Sequence, residues 1–259
     1  MTPVQAITSR ANPLLARVRR LARHSTGYRK AGELWLEGEH LCEAWTRAQR
    51  PAPQAVIAES AWDQPVVRAL AMRAARVARV PDVLFEGLSS LGSSPGIGFL
   101  VDAPGDARLD PERPTVVLDR VQDAGNVGSI LRSAAAMGFT QVLAIEGTAG
   151  LWSPKVLRAA MGANFALQMS EGLAPDDLAA LAVPMLATSS HALAAIDNFD
   201  LPWPCAWVFG HEGQGVDAAL LARCRATVRV PQPGGQESLN VAAAAAICLY
   251  ASCSQRSPA

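Results

Sequence analysis

Leu118-Asp119-Arg120-Val121-Gln122-Asp123-Ala124-Gly125-Asn126-Val127-Gly128-Ser129-Ile130-Leu131-Arg132-Ser133-Ala134 reads as the end of a strand, a polar turn and the start of a helix. Asn126 is expected to be the N-cap, because a short amide side chain can satisfy the free N–H groups of a first helical turn. Apolar residues at 127, 130, 131, 134 and 135 then form the buried stripe, with Arg132 at its edge. An arginine in that position is either a snorkelling surface residue or a functional cation facing a cleft.

Working outward, apolar segments at 115–119, 141–145, 184–188, 205–209 and 226–230 are separated by helical patterns. This alternation predicts an α/β domain with a parallel sheet covered by helices on both faces. Ligands of such sheets sit beyond the carboxyl ends of the strands, so the loops after the strands are where chemistry is sought. Upstream, the pattern is mixed α/β: a basic helix over 12–24, a strand at 33–37, a helix at 39–49, a strand at 55–58, a helix at 65–76 and a strand at 97–101. Turn-forming residues at 92–96 and 103–106, with prolines at 111 and 114, separate the two patterns. The expected domains are 1–103 and 114–259, with a linker near 103–113.

Half of the 259 residues are hydrophobic, enough to bury one large core or two modest ones, and this excludes disorder as the main state. The 23 basic and 23 acidic residues balance, so the chain is not a polycation that coats nucleic acid, and any such binding is local. The charge is unevenly spread: residues 1–103 carry 13 basic and 9 acidic side chains, residues 104–259 carry 10 and 14. Five cysteines without a Cys-x-x-Cys pair suggest neither a disulfide framework nor a zinc cluster, which fits a reducing, cytoplasmic setting. The uncharged run Ser238–Gln255 has an apolar stretch, Val241–Ala251, too short to cross a bilayer, so it is read as a buried helix. Residues 1–30 hold seven basic residues and no acid, as a transit peptide would, but Leu14, Leu15, Val18 and Leu21 recur at helical spacing, which argues for a folded basic helix.

Two further loops carry unusual chemistry. Phe209-Gly210-His211-Glu212-Gly213-Gln214-Gly215 follows a strand with three glycines in six residues, so backbone can approach a ligand closely. It lacks the glycine order of a dinucleotide fold and the lysine of a phosphate-binding loop, which weakens a nicotinamide dehydrogenase reading. Glu212 is the functional candidate there, and His211 reads as a neighbour rather than a base. Val230-Pro231-Gln232-Pro233-Gly234-Gly235-Gln236-Glu237-Ser238-Leu239-Asn240 leads into an alanine-rich helix, and Ser238 and Asn240 can both cap it. The four histidines form no metal-ligand spacing and no Ser/His/Asp order, so no metal site is expected.

Together and in this order, the three loops resemble the signature motifs of the SpoU (TrmH-like) branch of the SPOUT RNA methyltransferases. Asn126-Val-Gly-Ser-Ile-Leu-Arg132 resembles the first motif, Phe209-Gly-His-Glu212-Gly the second, and Val230-Pro231 through Ser238-Leu239-Asn240-Val241 the third. Ser153-Pro-Lys-Val-Leu-Arg-Ala-Ala-Met-Gly162-Ala is similar to another family segment, while Ile7 to Pro13 and Leu36-Glu37-Gly38-Glu39 look like the family's RNA-binding domain. His211 departs from the Asn or Ser that the second motif often carries, which leaves the fine geometry of that loop open.

The resemblance implies a C-terminal α/β domain tied in a trefoil knot, preceded by a smaller ribosomal protein L30e-like RNA-binding domain. It implies a homodimer through the C-terminal domain and methyl transfer from S-adenosylmethionine to a ribose 2′-hydroxyl of structured RNA, rRNA before tRNA. By analogy the cofactor would lie near Thr188, Gly210, Val230 and Leu239. Arg132, Glu212, Asn126, Ser238 and Asn240 would line the transfer site. The basic helix, with Arg10, Arg17, Arg19, Arg20 and Arg23 followed by Arg29 and Lys30, would be the electrostatic footprint for RNA. The sulfonium is already an activated donor, so the protein's task is alignment and help with proton removal. A guanidinium is effectively always protonated, which favours Arg132 as a phosphate clamp over its rival role as general base. Glu212 is expected to orient Arg132 or a loop amide. A non-catalytic RNA-binding or ribosome-assembly factor of the same fold is the alternative from another class.

Overall fold

The computed structural model describes residues 2–89, 96–234 and 238–256. The expected break at 92–95 and positions 235–237 of the third loop lie outside the described residues. The chain forms two compact units, one of residues 1–105 together with 152–165, the other of 106–151 and 166–259.

The first unit contains β1 (Val4–Ala6), α1 (Pro13–Arg23), α2 (Gly27–Ala31), β2 (Glu33–Glu37), α3 (Glu39–Arg47), β3 (Gln54–Ala58), α4 (Glu59–Trp62), α5 (Pro65–Ala71), β4 (Arg76–Val80), α6 (Asp82–Glu86) and β5 (Ile97–Asp102). Its sheet runs β1-β4-β3-β5-β2, parallel from β1 to β3 and antiparallel at both pairs made by β5. Asn12 caps α1 by accepting from the Leu14 N–H at 2.9 Å, and Pro13 supplies the preset φ of a first helical residue. The buried face of α1 is Leu15, Val18, Leu21 and Ala22. The expected helix over 65–76 ends at Ala71, and its last residues belong instead to the approach to β4. There Val77, Ala78 and Val80 are buried while Arg76 and Arg79 interrupt the apolar run.

In the second unit, β6 (Thr115–Asp119), α7 (Ala124–Ala136) and β7 (Gln141–Ile145) come first. The chain then returns to the first unit as α8 (Pro154–Ala160), capped by Ser153. Its flanks join an aromatic cluster there: Phe165 meets Trp45 edge-on at 5.0 Å and stacks near Trp152 at 6.3 Å between ring centres. The second unit resumes with β8 (Gln168–Leu173), β9 (Met185–Thr188), β10 (Ala194–Ala195), β11 (Ala206–Gly210), α9 (Ala218–Leu221), β12 (Ala226–Arg229) and α10 (Val241–Ser254).

All seven strands of this sheet pair in parallel, in the order β10-β12-β9-β11-β6-β7-β8. Side chains alternate across it. Val117, Leu143, Ala187 and Val208 point to a core shared with Leu178 and Leu220, whereas Trp207, on the opposite face, donates its indole N–H to Ser252 of α10 at 2.8 Å. Helices therefore cover both faces, as the near-continuous apolar strands require. Among the described residues no helix is long and apolar enough to cross a membrane.

Candidate active site

The parallel sheet fixes where its loops gather. Thr188 ends β9, Gly210 ends β11 and Val230 follows β12, three neighbouring strands in the order β12-β9-β11 with Thr188 opposite Val228 and Ala187 opposite Val208. Three of the four residues expected at the cofactor thus share one carboxyl edge, and Asp119 of β6 is beside Gly210 on the same edge. Gly210 is required there. A Cβ on it would lie 2.2 Å from the backbone of Gly215 and Val216, because the loop folds back on the strand end.

That fold-back is closed by His211, whose N–H and C=O pair with those of Gly215 at 3.0 and 2.8 Å. Its Nδ1 also accepts from the Gly213 and Gln214 N–H groups at 3.0 and 3.3 Å. A side-chain acceptor bonding the backbone two or three residues on is what an Asn or Ser would offer in the same turn. In this chain the acceptor is the imidazole Nδ1.

Glu212 leaves the tip of this loop and reaches the turn before α7. Its carboxylate accepts from Gln122 N at 3.3 Å, Asp123 N at 3.1 Å and Asn126 Nδ2 at 3.1 Å. Asn126 in turn accepts, on Oδ1, from Asn240 Nδ2 at 2.9 Å. Asn240 caps α10 by accepting from the Ala242 and Ala243 N–H groups. Three loops are joined by a single chain of side chains. Partial burial pushes the Glu212 carboxyl up, but the Asn126 amide and the backbone N–H groups of the two loops outweigh it and hold the group below its ordinary value.

Two capping expectations are corrected. The N-cap of α7 is Asp123, whose Oδ1 accepts from Asn126 N at 2.8 Å, so Asn126 lies inside the first turn with its amide free to bridge Glu212 and Asn240. Asn240 alone caps α10, while Ser238 and Leu239 are exposed just before it. Of the two tasks expected of Glu212, the geometry shows the grip on loop amides. Arg132 is exposed and makes no hydrogen bond or ion pair among the described residues. Six residues along α7 it is about 9 Å further up the axis and on a different face from Asn126.

Sequence reasoning missed the partner pair Asp119 and Arg120. Asp119 is buried, with 1% of its side chain exposed, and accepts from Arg120 Nε and Nη2 at 2.8 and 3.0 Å and from Asp217 N at 2.7 Å. A charged pair directly after the apolar run Val116-Val117-Leu118 was the available signal. Thiol chemistry is remote from this site's design: burial pushes Cys205 and Cys248 up to about 12 and Cys224 to about 11, which removes the reactive thiolate. The five cysteines are unpaired, and among the described residues no group of three or more His, Cys, Asp or Glu could hold a metal ion.

The profile of the SpoU rRNA Methylase family matches residues 113–250, from the strand before α7 to the last turns of α10. The chain belongs to the SpoU rRNA methylase family. A Synechocystis relative of this family, named an uncharacterized tRNA/rRNA methyltransferase, is 32% identical over 262 residues, 95% of this chain and 93% of its own. The 23S rRNA (uridine(2479)-2′-O)-methyltransferase of Streptomyces viridochromogenes is 30% identical over 76% of this chain and 72% of its own. Among solved structures, the AdoMet-bound rRNA methyltransferase of Sinorhizobium meliloti superposes with a TM-score of 0.82 at 25% identity, covering 96% of this chain and 97% of its own. The fold of that solved structure is thus matched along nearly the whole chain.

In the first unit, Arg10 lies exposed ahead of α1, and Arg17, Arg20 and Arg23 are exposed on the helix with Arg19 half-buried. Arg17 approaches Glu33 at 3.4 Å and Arg23 donates to the Gly87 carbonyl at 3.4 Å. Arg10, Arg19 and Arg20 make no such contact among the described residues.

Proposed function

We propose that this SpoU family member transfers the methyl group of S-adenosylmethionine to a ribose 2′-hydroxyl of 23S rRNA. The observation that carries the reading is the Glu212–Asn126–Asn240 chain, which ties three loops into one rim at the carboxyl edge of a parallel sheet. Ligands of such sheets bind at that edge.

The residues present suit the cofactor. Gln232 Oε1, two residues beyond Val230 in the loop after β12, is shut away from solvent without a hydrogen-bond partner among the described residues. A buried acceptor of this kind calls for a donor, and an adenine amino group or an α-ammonium supplies one. Thr188, Gly210, Val230 and Leu239 offer backbone groups suited to a neutral, planar ring. When bound, the cofactor supplies an already activated methyl group, so the protein's work is positional.

Glu212 holds the turn before α7 closed by its three acceptor bonds and fixes the Asn126 amide; Asn240 fixes the other side of that amide. Asn126 and Ser238 orient the ribose. Arg132, exposed and unpaired among the described residues, holds the target phosphate with its planar fork, and the proton leaves through that phosphate or water. The first unit is a ribosomal protein L30e-like RNA-binding domain whose α1 arginines meet the phosphate backbone. The second is a trefoil-knotted domain that pairs with a second copy, a reading supported by Ile247 and Tyr250, which α10 leaves 39% and 61% exposed. A ribosomal RNA substrate puts the protein in the cytoplasm.

The test is transfer of labelled methyl to total rRNA and, separately, total tRNA from cells lacking the protein. Label in rRNA supports the proposal; label in tRNA alone replaces the substrate; label in neither, with cofactor binding intact on assembled ribosomal particles too, favours a non-catalytic assembly factor.

A further inference from the structure

We propose that Arg120 is a positioning residue for the cofactor loop, resting on the reading of residues 210–216 as part of the S-adenosylmethionine site. The first observation is conformational. Arg120 has φ of 58°, in the left-handed region that a long side chain enters only at a cost, and glycine would sit there without one. A bulky residue kept in that state is held by its surroundings, and such residues concentrate where strain serves function.

The surroundings are built around it. Thr148 Oγ1 accepts from Arg120 N at 3.1 Å and donates to the Leu118 carbonyl at 3.0 Å, which fixes the turn at the end of β6. Gly147 leaves room for the stem: a Cβ there would stand 3.2 Å from Arg120 Cγ. The head of the side chain is locked in a two-point grip by buried Asp119, and the same carboxylate accepts from Asp217 N at the far end of the glycine loop. The remaining terminal nitrogen, Nη1, donates to Gln214 Oε1 at 3.1 Å, at the exposed tip of that loop.

The loop carrying Gly210 and Glu212 is therefore gripped from β6 at two points, Asp217 and Gln214, and grips the turn before α7 at its own Glu212. Without Arg120 the Gln214 tether is lost, and the loop is left with its anchors at Asp217 and Glu212. Two of the five guanidinium N–H groups have no use in this grip, and the planar fork is what allows one side chain to serve Asp119 and Gln214 together. Lysine keeps the charge and loses the fork.

The experiment compares wild type, Arg120→Gly, Arg120→Lys and Gln214→Ala by calorimetric titration with S-adenosylmethionine, hydrogen exchange of the 211–217 amides in the cofactor-free protein, and melting temperature. Arg120→Gly relieves the backbone strain but leaves the buried Asp119 carboxylate without its cation, so its melting temperature is expected to fall, whereas Gln214→Ala, which keeps the Asp119 pair, should leave the melting temperature within about 2 °C of wild type. In Arg120→Gly the loop amides should exchange faster and the cofactor affinity fall about tenfold. Lysine should not restore either property, and Gln214→Ala should speed exchange at the tip. Unchanged exchange and affinity in Arg120→Gly would overturn the inference, as would a lower melting temperature with affinity unchanged. Should wild type itself bind no S-adenosylmethionine, the functional proposal fails instead, and loop exchange alone then decides the role of Arg120.

Discussion

The carboxylate of Glu212 and the side-chain amide of Asn126 meet at 3.1 Å although 86 residues separate them, and the other face of that amide is held by Asn240 at 2.9 Å. An amide held on both sides presents one fixed orientation. Replacing Glu212 by Gln keeps the shape but swaps an acceptor for a donor facing other donors. The bond from Gln122 N to Oε2 is lost and the two on Oε1 lose the carboxylate charge, at a cost of about 1 to 2 kcal/mol in urea unfolding, discounted for the exposed position. Turnover is expected to fall about tenfold or more, since misalignment worth about 1.4 kcal/mol costs that much.

The pH dependence of that contribution has a defined sign. Glu212 titrates below its ordinary value in the folded chain, because the Asn126 amide and loop N–H groups overcome the opposing push of burial. The stability it adds is fully present above the unfolded carboxyl pKa of about 4.3 and is lost as pH falls through the lower folded value. Urea midpoints of wild type and Glu212→Gln should therefore differ by a constant amount from neutrality down to about pH 5 and converge below it. A gap that widens on acidification would contradict the assignment.

Asn240 does two jobs that can be separated. Asn240→Ser retains an N-cap oxygen for α10 and loses the donor to Asn126; Asn240→Ala loses both and should cost about 1 kcal/mol more. In a double-mutant cycle, Asn126→Ala and Asn240→Ser should couple by about 0.5 kcal/mol or more in stability, whereas Asn126→Ala and a remote substitution should add.

Arg132 presents the opposite profile. It is exposed and unpaired among the described residues, so Arg132→Ala and Arg132→Lys should change stability by no more than about 0.5 kcal/mol. As a phosphate clamp it should lose RNA affinity and turnover in both variants, with lysine recovering part of the affinity but little of the turnover. A general base would show a turnover loss in lysine that high pH repairs.

Far from the rim, Ser252 tests how α10 is seated. Its hydroxyl accepts from the indole N–H of Trp207, which is fully buried in β11. Ser252→Ala strands that donor and should cost about 1 to 3 kcal/mol in unfolding free energy, with little change in cofactor affinity.

What could be read in advance follows the physics of each segment. The central strands were legible because both faces are buried, so Val116, Val117 and Leu118 are apolar without alternation, and β6 and β7 lie at the expected residues. Two polar edge strands were not: β1 is exposed along its length, and β8 carries Gln168, Ser170 and Glu171, whereas the apolar edge strand β2 lies at the expected 33–37. The helix expected to continue to residue 76 hid β4, since a strand whose arginines break the run has no clean period. At the site, Glu212 stood out as a charge in a glycine turn. Asp123 did not stand out against Asn126 as the cap, because both side chains suit it and only the tertiary demand on Asn126 decides. The return of 152–165 to the first unit rests on contacts among Trp45, Trp152 and Phe165 that no local pattern announces.

The most direct measurement is nucleoside mass spectrometry of 23S rRNA from cells lacking the protein, after incubation with the purified protein and labelled S-adenosylmethionine. The account predicts a single labelled nucleoside, methylated on the ribose 2′-oxygen, whose rate of labelling falls about tenfold or more with Glu212→Gln. Label on a base, or a ribose methylation untouched by that substitution, would contradict it.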